Sequence, residues 1–172
     1  EYLEECLKQN FSFDIKKYIF NDKCLILFGR GCPSNCVFCS EKHMWGRYRF
    51  RSAQNVFNEI KLRVSQGFNS FYFTDELING NIFELLKFCN MVIKENLKIS
   101  WGGNFKVDKR LDKKYFTMMK KAGCEWLQFG IESGSSKVLK LMKKGYNPKE
   151  ASKNLRDARR SGIHCRINII VG

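Results

Sequence analysis

Five short runs rich in β-branched and aromatic residues recur along the chain, separated by longer stretches of helical period, and this alternation limits the fold more than any other feature. The candidate strands are Cys24–Phe28, Phe68–Thr74, Leu97–Trp101, Glu125–Ile131 and Ile163–Val171. Between them, Ser52–Gln66 carries Val56, Ile60 and Val64 on one helical face and stops at Gly67. Asn81–Glu95 carries the stripe Ile82, Leu85, Leu86, Cys89 and Ile93, and Asp112–Ala122 runs from a capping Asp to Gly123. Ser135–Lys144 ends at Gly145, and Asn147–Arg160 opens with Asn-Pro-x-Glu and stops at Gly162. Such a pattern specifies α/β architecture built from parallel βα units with right-handed crossovers. Periodicity leaves open whether the sheet is flat or curls into a barrel. In either case chemistry belongs in the loops after the strand C-termini.

With no Gly/Ser linker or composition break, residues 23–172 read as one domain and residues 1–22 as a lead-in or linker from a preceding domain, with a short amphipathic helix at Tyr2, Leu3, Cys6 and Leu7. The fifth candidate strand ends at Gly172 with nothing to cover its outer face, so the domain reads as truncated there. The longest apolar run, Ile167–Val171, is far short of a membrane span, and EYLEECLKQN is not a secretory signal. No membrane partner is expected. Eight cysteines without export features point to a reducing, cytoplasmic setting. Cys6, Cys24, Cys89, Cys124 and Cys165 lie among apolar neighbours and read as buried thiols. The net charge of +14 would suit a polyanionic partner, but most lysines fall on expected helix exteriors: Lys113, Lys114, Lys120, Lys121, Lys137, Lys140, Lys143 and Lys144.

The remaining cysteines cluster. Cys32, Cys36 and Cys39 form C-x3-C-x2-C in the first βα loop. Adding His43 would make a Cys3His zinc set, but structural zinc sites usually pair knuckles across an intervening segment. A four-iron cluster suits one compact loop better, because its thiolates reach different irons. Three thiolates leave the fourth iron open to a substrate. The motif, with Phe38 directly before its last cysteine, resembles the signature of the radical S-adenosylmethionine (radical SAM) superfamily. The resemblance covers roughly residues 24–172 and implies a partial (β/α) barrel. It makes Cys32, Cys36 and Cys39 ligands of a [4Fe–4S] cluster whose open iron chelates the methionine end of SAM, with Phe38 against the adenine. Reductive cleavage of SAM to a 5′-deoxyadenosyl radical is the implied chemistry.

Further matches carry the resemblance along the chain. Thr74-Asp75-Glu76 stands where the family has a Gly-Gly-Glu-like element for the SAM amino group; both glycines are missing, but Asp75 and Glu76 suit an ammonium. Gly130-Ile131-Glu132-Ser133-Gly134-Ser135 offers Glu132 to the ribose hydroxyls and Ser133 to the ligand's approach, with one of its serines capping the next helix. Asn168, in the fifth strand with Ile170 and Gly172, matches an adenine-contacting segment. The Trp45-Gly46-Arg47 to Ser52 stretch and the Gly130–Gly145 run resemble radical SAM proteins that carry an upstream cobalamin-binding domain. That branch implies methylation or rearrangement of an unactivated carbon in a small-molecule or peptide substrate, with a reductant such as flavodoxin or ferredoxin. Cobalamin would belong to the full-length protein and not be bound by these residues, whose only histidines are His43 and His164. Two alternatives remain. One is an RNA-modifying radical SAM enzyme. The other is a zinc-stabilised nucleic-acid-binding module centred on residues 32–51, where aromatic and basic residues alternate.

Overall fold

A computed structural model describes residues 23–171. The expected lead-in helix within residues 1–22 and the terminal Gly172 lie outside the described residues. Seven strands and six helices follow in order: β1 (Cys24–Ile26), β2 (Gly29–Arg30), α1 (Glu41–Trp45), β3 (Arg49–Phe50), α2 (Ala53–Ser65), β4 (Ser70–Phe73), α3 (Ile82–Lys94), β5 (Ser100–Phe105), α4 (Lys113–Lys121), β6 (Cys124–Glu132), α5 (Ser136–Leu141), α6 (Pro148–Arg160) and β7 (His164–Ile169). The sheet order is β1-β4-β5-β6-β7, and every neighbouring pair is parallel. This is the βα succession expected from the alternating pattern. The helix starts read from sequence also carry their caps. Ser52, Asn81, Asp112, Ser135 and Asn147 each accept a backbone N–H from the following turn, and Asn147 with Glu150 closes a capping box.

Strand alternation sorts the side chains into two layers. Phe71 and Phe73 of β4, Trp101 and Phe105 of β5, and Leu127 and Phe129 of β6 are fully buried. They pack with Phe57 and Ile60 of α2, Leu85, Phe88 and Cys89 of α3, and Phe116 and Met119 of α4. Each fully buried phenylalanine contributes roughly 1.5–3 kcal/mol, so this aromatic layer is a large share of what holds the sheet. Cys89 and Cys124 are buried as expected, and burial pushes both thiols up, away from the reactive thiolate form.

The opposite face carries a Tyr72–Gly102–Trp126 row across three strands, set by the strand register. The Tyr72 and Trp126 rings sit 5.4 Å apart, with Lys23 and Arg166 over the Trp126 ring. A Cβ on Gly102 would lie 2.4 Å from that ring. This explains one departure from the sequence reading, which ended the third strand at Trp101. The glycine pair has poor strand propensity, but the tertiary neighbours require its bareness, and the strand continues to Phe105.

The cysteine loop is an excursion closed at its base. Antiparallel β2 and β3 pair Gly29 with Phe50 and Arg30 with Arg49, bracketing everything between them. Arg51 secures the exit by donating from Nη1 to Leu27 O at 2.9 Å and pairing with Glu59 at 2.6 Å. Tyr48 stacks on Phe50, but Phe50 remains 50% exposed. Among the described residues, no helix is long and apolar enough to cross a membrane.

Candidate functional site

At the C-terminal ends of the strands, a cavity of about 280 Å³ opens beneath the cysteine loop. Cys32, Cys36 and Cys39 line it, together with Phe38, Glu76, Glu132 and Asn168. Residues from four loops and the edge strand, 136 positions apart at the extremes (168 − 32), thus share one space. Asn104 and Gln128, neighbours in the β5–β6 register, form part of its inner wall.

All three loop thiols are free and partly buried. Among the described residues, no three His, Cys, Asp or Glu side chains converge as a single metal ion would require. His43 is exposed on α1 and does not line the cavity, so it does not complete the Cys3His set that a zinc module needs. Three thiols spaced around one cavity instead fit the donor set of an iron–sulfur cluster, in which each thiolate serves a different iron.

The loop after β4 brings Asp75 and Glu76 to different jobs. Asp75 is only 3% exposed and does not line this cavity. Its Oδ2 accepts the Phe28 N–H at 2.8 Å, and its Oδ1 accepts the Gly29 N–H. Burial pushes its carboxyl up to about 6, against the pull of those two N–H donors. Asp75, expected in the ligand set, is thus placed away from the cavity, where it ties down the chain entering the cysteine loop. Glu76 does face the cavity. Burial raises its carboxyl, and the nearby Glu41 raises it further. Oε2 of Glu41 is buried without a hydrogen-bond partner. Nothing in the sequence pattern singled out Glu41.

The loop after β6 is reshaped by a register shift between Gly130 and Glu132 against β7. Such a bulge re-aims side chains at a strand end. Glu132 takes φ 64°, a left-handed conformation that a non-glycine residue adopts only against a steric cost of about 1–2 kcal/mol. Its Oε1 accepts from Lys144 Nζ at 3.2 Å, with side chains only 12% and 7% exposed. A Cβ on Gly130 would come within 2.7 Å of that Oε1, so glycine there leaves room for the pair. Lys144 also lies 5.6 Å from the Phe38 ring centroid and 5.8 Å from that of Tyr146. Tyr146 donates to Gly130 O at 2.7 Å, and burial raises its phenol.

Lys144 was expected on a helix exterior and is instead buried in the site. The helix assigned to Ser135–Lys144 ends at Leu141, and Lys143 turns through φ 55°, which swings the next side chain inward. Ser133 departs from expectation as well. It lies outside the cavity, and its Oγ accepts the Ser135 N–H at 3.1 Å. Ser135 is the cap of α5. The segment after α5 also reaches the cysteine loop, where Val37 N–H donates to Met142 O at 3.2 Å.

A parallel βα sheet with a three-cysteine loop and opposed charges around one strand-end cavity defines an α/β domain with a candidate cofactor site. The profile of the Radical SAM superfamily matches residues 26–172, and the chain belongs to that superfamily of enzymes. It is 31% identical over 150 residues to an uncharacterized methyltransferase of Pyrococcus horikoshii, covering 86% of this chain and 32% of that protein. It is 32% identical over 149 residues to the anaerobic magnesium-protoporphyrin IX monomethyl ester cyclase of Rubrivivax gelatinosus, covering 84% and 26% respectively. Among solved structures, the radical S-adenosylmethionine methyltransferase TsrM from Kitasatospora setae, with cobalamin and a [4Fe–4S] cluster bound, superposes with a TM-score of 0.77 at 20% identity. That match covers 87% of this chain and 31% of TsrM, and it identifies the sheet as part of a radical SAM-type (β/α) barrel. The chain spans about a third or less of the length of each of these proteins.

Proposed function

We propose that this chain holds a [4Fe–4S] cluster through Cys32, Cys36 and Cys39 and binds SAM in the cavity below it. The observation that supports this most directly is that the three thiols share one cavity with Glu76, Glu132 and Lys144. When bound, the cluster and SAM supply reductive cleavage of a C–S bond to a 5′-deoxyadenosyl radical. The protein's own part is to bind, orient and exclude water.

Glu76, with Glu41 beside it, offers carboxylate to the ammonium end of the methionine moiety, and that positive charge relieves the repulsion between the two acids. Glu132 accepts from the ribose hydroxyls, held at the bulge by Lys144. Phe38, partly exposed beside the cavity, and Asn168 receive the adenine. Neither Asp75 nor Ser133 is included among the ligands. The relatives' names, a methyltransferase and a cyclase, favour methyl transfer to carbon or closure of a ring as the later step of this reading, and cobalamin, as bound in TsrM, would then be held by a part of a longer protein outside these residues. A low-potential carrier such as flavodoxin or ferredoxin would deliver the electron, in a reducing, cytoplasmic setting.

Anaerobic reconstitution with iron and sulfide, followed by low-temperature EPR of the dithionite-reduced protein, tests the reading. About four irons per chain and a [4Fe–4S] signal that shifts on adding SAM are expected. Replacing all three cysteines by alanine should abolish both. A folded wild-type chain that binds zinc and no cluster would overturn it.

A further inference from the structure

Lys106, immediately after β5, is a cavity residue whose setting is built by parts of the chain outside the cysteine motif. Asn79, 6% exposed, grips its backbone from both sides: Oδ1 accepts the Lys106 N–H at 3.0 Å, and Nδ2 donates to Lys106 O at 2.8 Å. A buried amide that satisfies both polar groups of one residue acts like a strand partner and fixes where that residue's side chain starts. The side chain then crosses to the cysteine loop, where Nζ donates to Ser34 Oγ at 2.9 Å. Ser34 in turn directs its backbone N–H at Cys32 Sγ, 3.4 Å away. A continuous polar path therefore links a buried amide after β4, a cation after β5 and a sulfur of the loop after β1.

Among the described residues no carboxylate lies within 4 Å of this ammonium, although its charge helps hold the Asp108 carboxyl down. Lys144, the other lysine of the cavity, is neutralised by Glu132. Lys106 lines the same cavity as the three cysteines, and a positive charge there favours whatever adds negative charge, while an N–H aimed at a sulfur acts in the same direction. We propose that Asn79 and Lys106 form a brace that positions the cysteine loop through Ser34 and raises the reduction potential of the cluster the loop holds. Lys106 is thus a positioning residue that eases the entry of the electron. The inference rests on the cluster reading above.

The test is a redox titration monitored by EPR on the reconstituted chain, with iron content measured in parallel. Lys106→Gln is expected to hold cluster but to be reduced at a more negative potential. About tenfold less reduced cluster at a fixed poise corresponds to about 59 mV for a one-electron couple. Lys106→Arg, which keeps the charge, should restore most of the difference. Ser34→Ala should shift the potential in the same direction by less, and should add little to Lys106→Gln. A wild-type potential in Lys106→Gln overturns the proposal, and so does an equal shift in the Gln and Arg variants, which would report packing and not charge. Should Lys106→Gln fail to take up iron, Ser34→Ala carries the test, and an unshifted potential there overturns it. A folded wild-type chain without any cluster overturns the cluster reading itself, and the brace with it.

Discussion

The loops after β4 and β6 make an instructive pair. Each strand end carries two adjacent polar residues, Asp75-Glu76 just beyond β4 and Glu132-Ser133 at the close of β6, and each pair divides its labour. In the first loop the leading residue is buried against the Phe28 and Gly29 amides while the second faces the cavity. In the second loop the order is reversed: Glu132 faces the cavity, and Ser133 turns away to hold the Ser135 amide. The cavity-facing acids also differ in their company. Glu76 meets the like charge of Glu41, whereas Glu132 has a buried lysine. Glu76 and Glu41 are therefore left with their like charges facing each other, whereas Glu132 is balanced by its lysine. A ligand with a cationic end and a hydroxyl-rich end would find a suitable partner at each.

The largest effect should come from the balanced pair. Glu132→Ala leaves the Lys144 ammonium buried without a partner and is expected to cost about 3–5 kcal/mol, read from chemical denaturation. The double replacement Glu132→Gln with Lys144→Met should cost less than the sum of the two single changes, because the charge and its stranded partner go together. Additive losses would mean that the two side chains do not depend on one another.

Asp75 should come next. Asp75→Ala strips the acceptor from two buried amides and is expected to destabilise by about 2–3 kcal/mol. Its pH signature sharpens the contrast. Burial holds this carboxyl at about 6 in the folded chain, against an ordinary 3.8, so the folded state keeps the proton longer than the unfolded state. The stabilisation from this group is full below pH 3.8 and is lost as pH rises through about 6. Subtracting the stability curve of Asp75→Asn from that of wild type should reveal a fall on the order of 3 kcal/mol across that window. A flat difference would show that Asp75 is not shielded as described. Ser133→Ala should do least, within about 0.5 kcal/mol, since the residue lies outside the cavity and makes one local turn contact. A large loss of SAM affinity in that variant would return Ser133 to the ligand set.

Much of the architecture was readable because it is local. Caps at Ser52, Asn81, Asp112, Ser135 and Asn147 depend on residues within a turn of one another, and the five parallel strands follow from repeated short apolar runs. Elsewhere distant neighbours override local propensity. The Gly102-Gly103 pair reads as a strand end but lies within β5, because Trp126 and Phe73 occupy the space that side chains would need. Lys144 reads as a solvated helix residue, yet the early end of α5 turns it toward Glu132.

By itself, the sequence determined the βα succession, the single loop carrying three thiols, and the strand ends at which partners for a cofactor had to be sought. Each of these depends on spacing within one segment. Only the tertiary structure decided which member of each polar pair faces the cavity, that Lys144 is the counter-ion of Glu132, and that Lys106 reaches Ser34 across 72 positions of sequence. Those choices depend on a bulge, a buried amide and the registry of neighbouring strands, where a displacement of one residue turns a side chain to the opposite face.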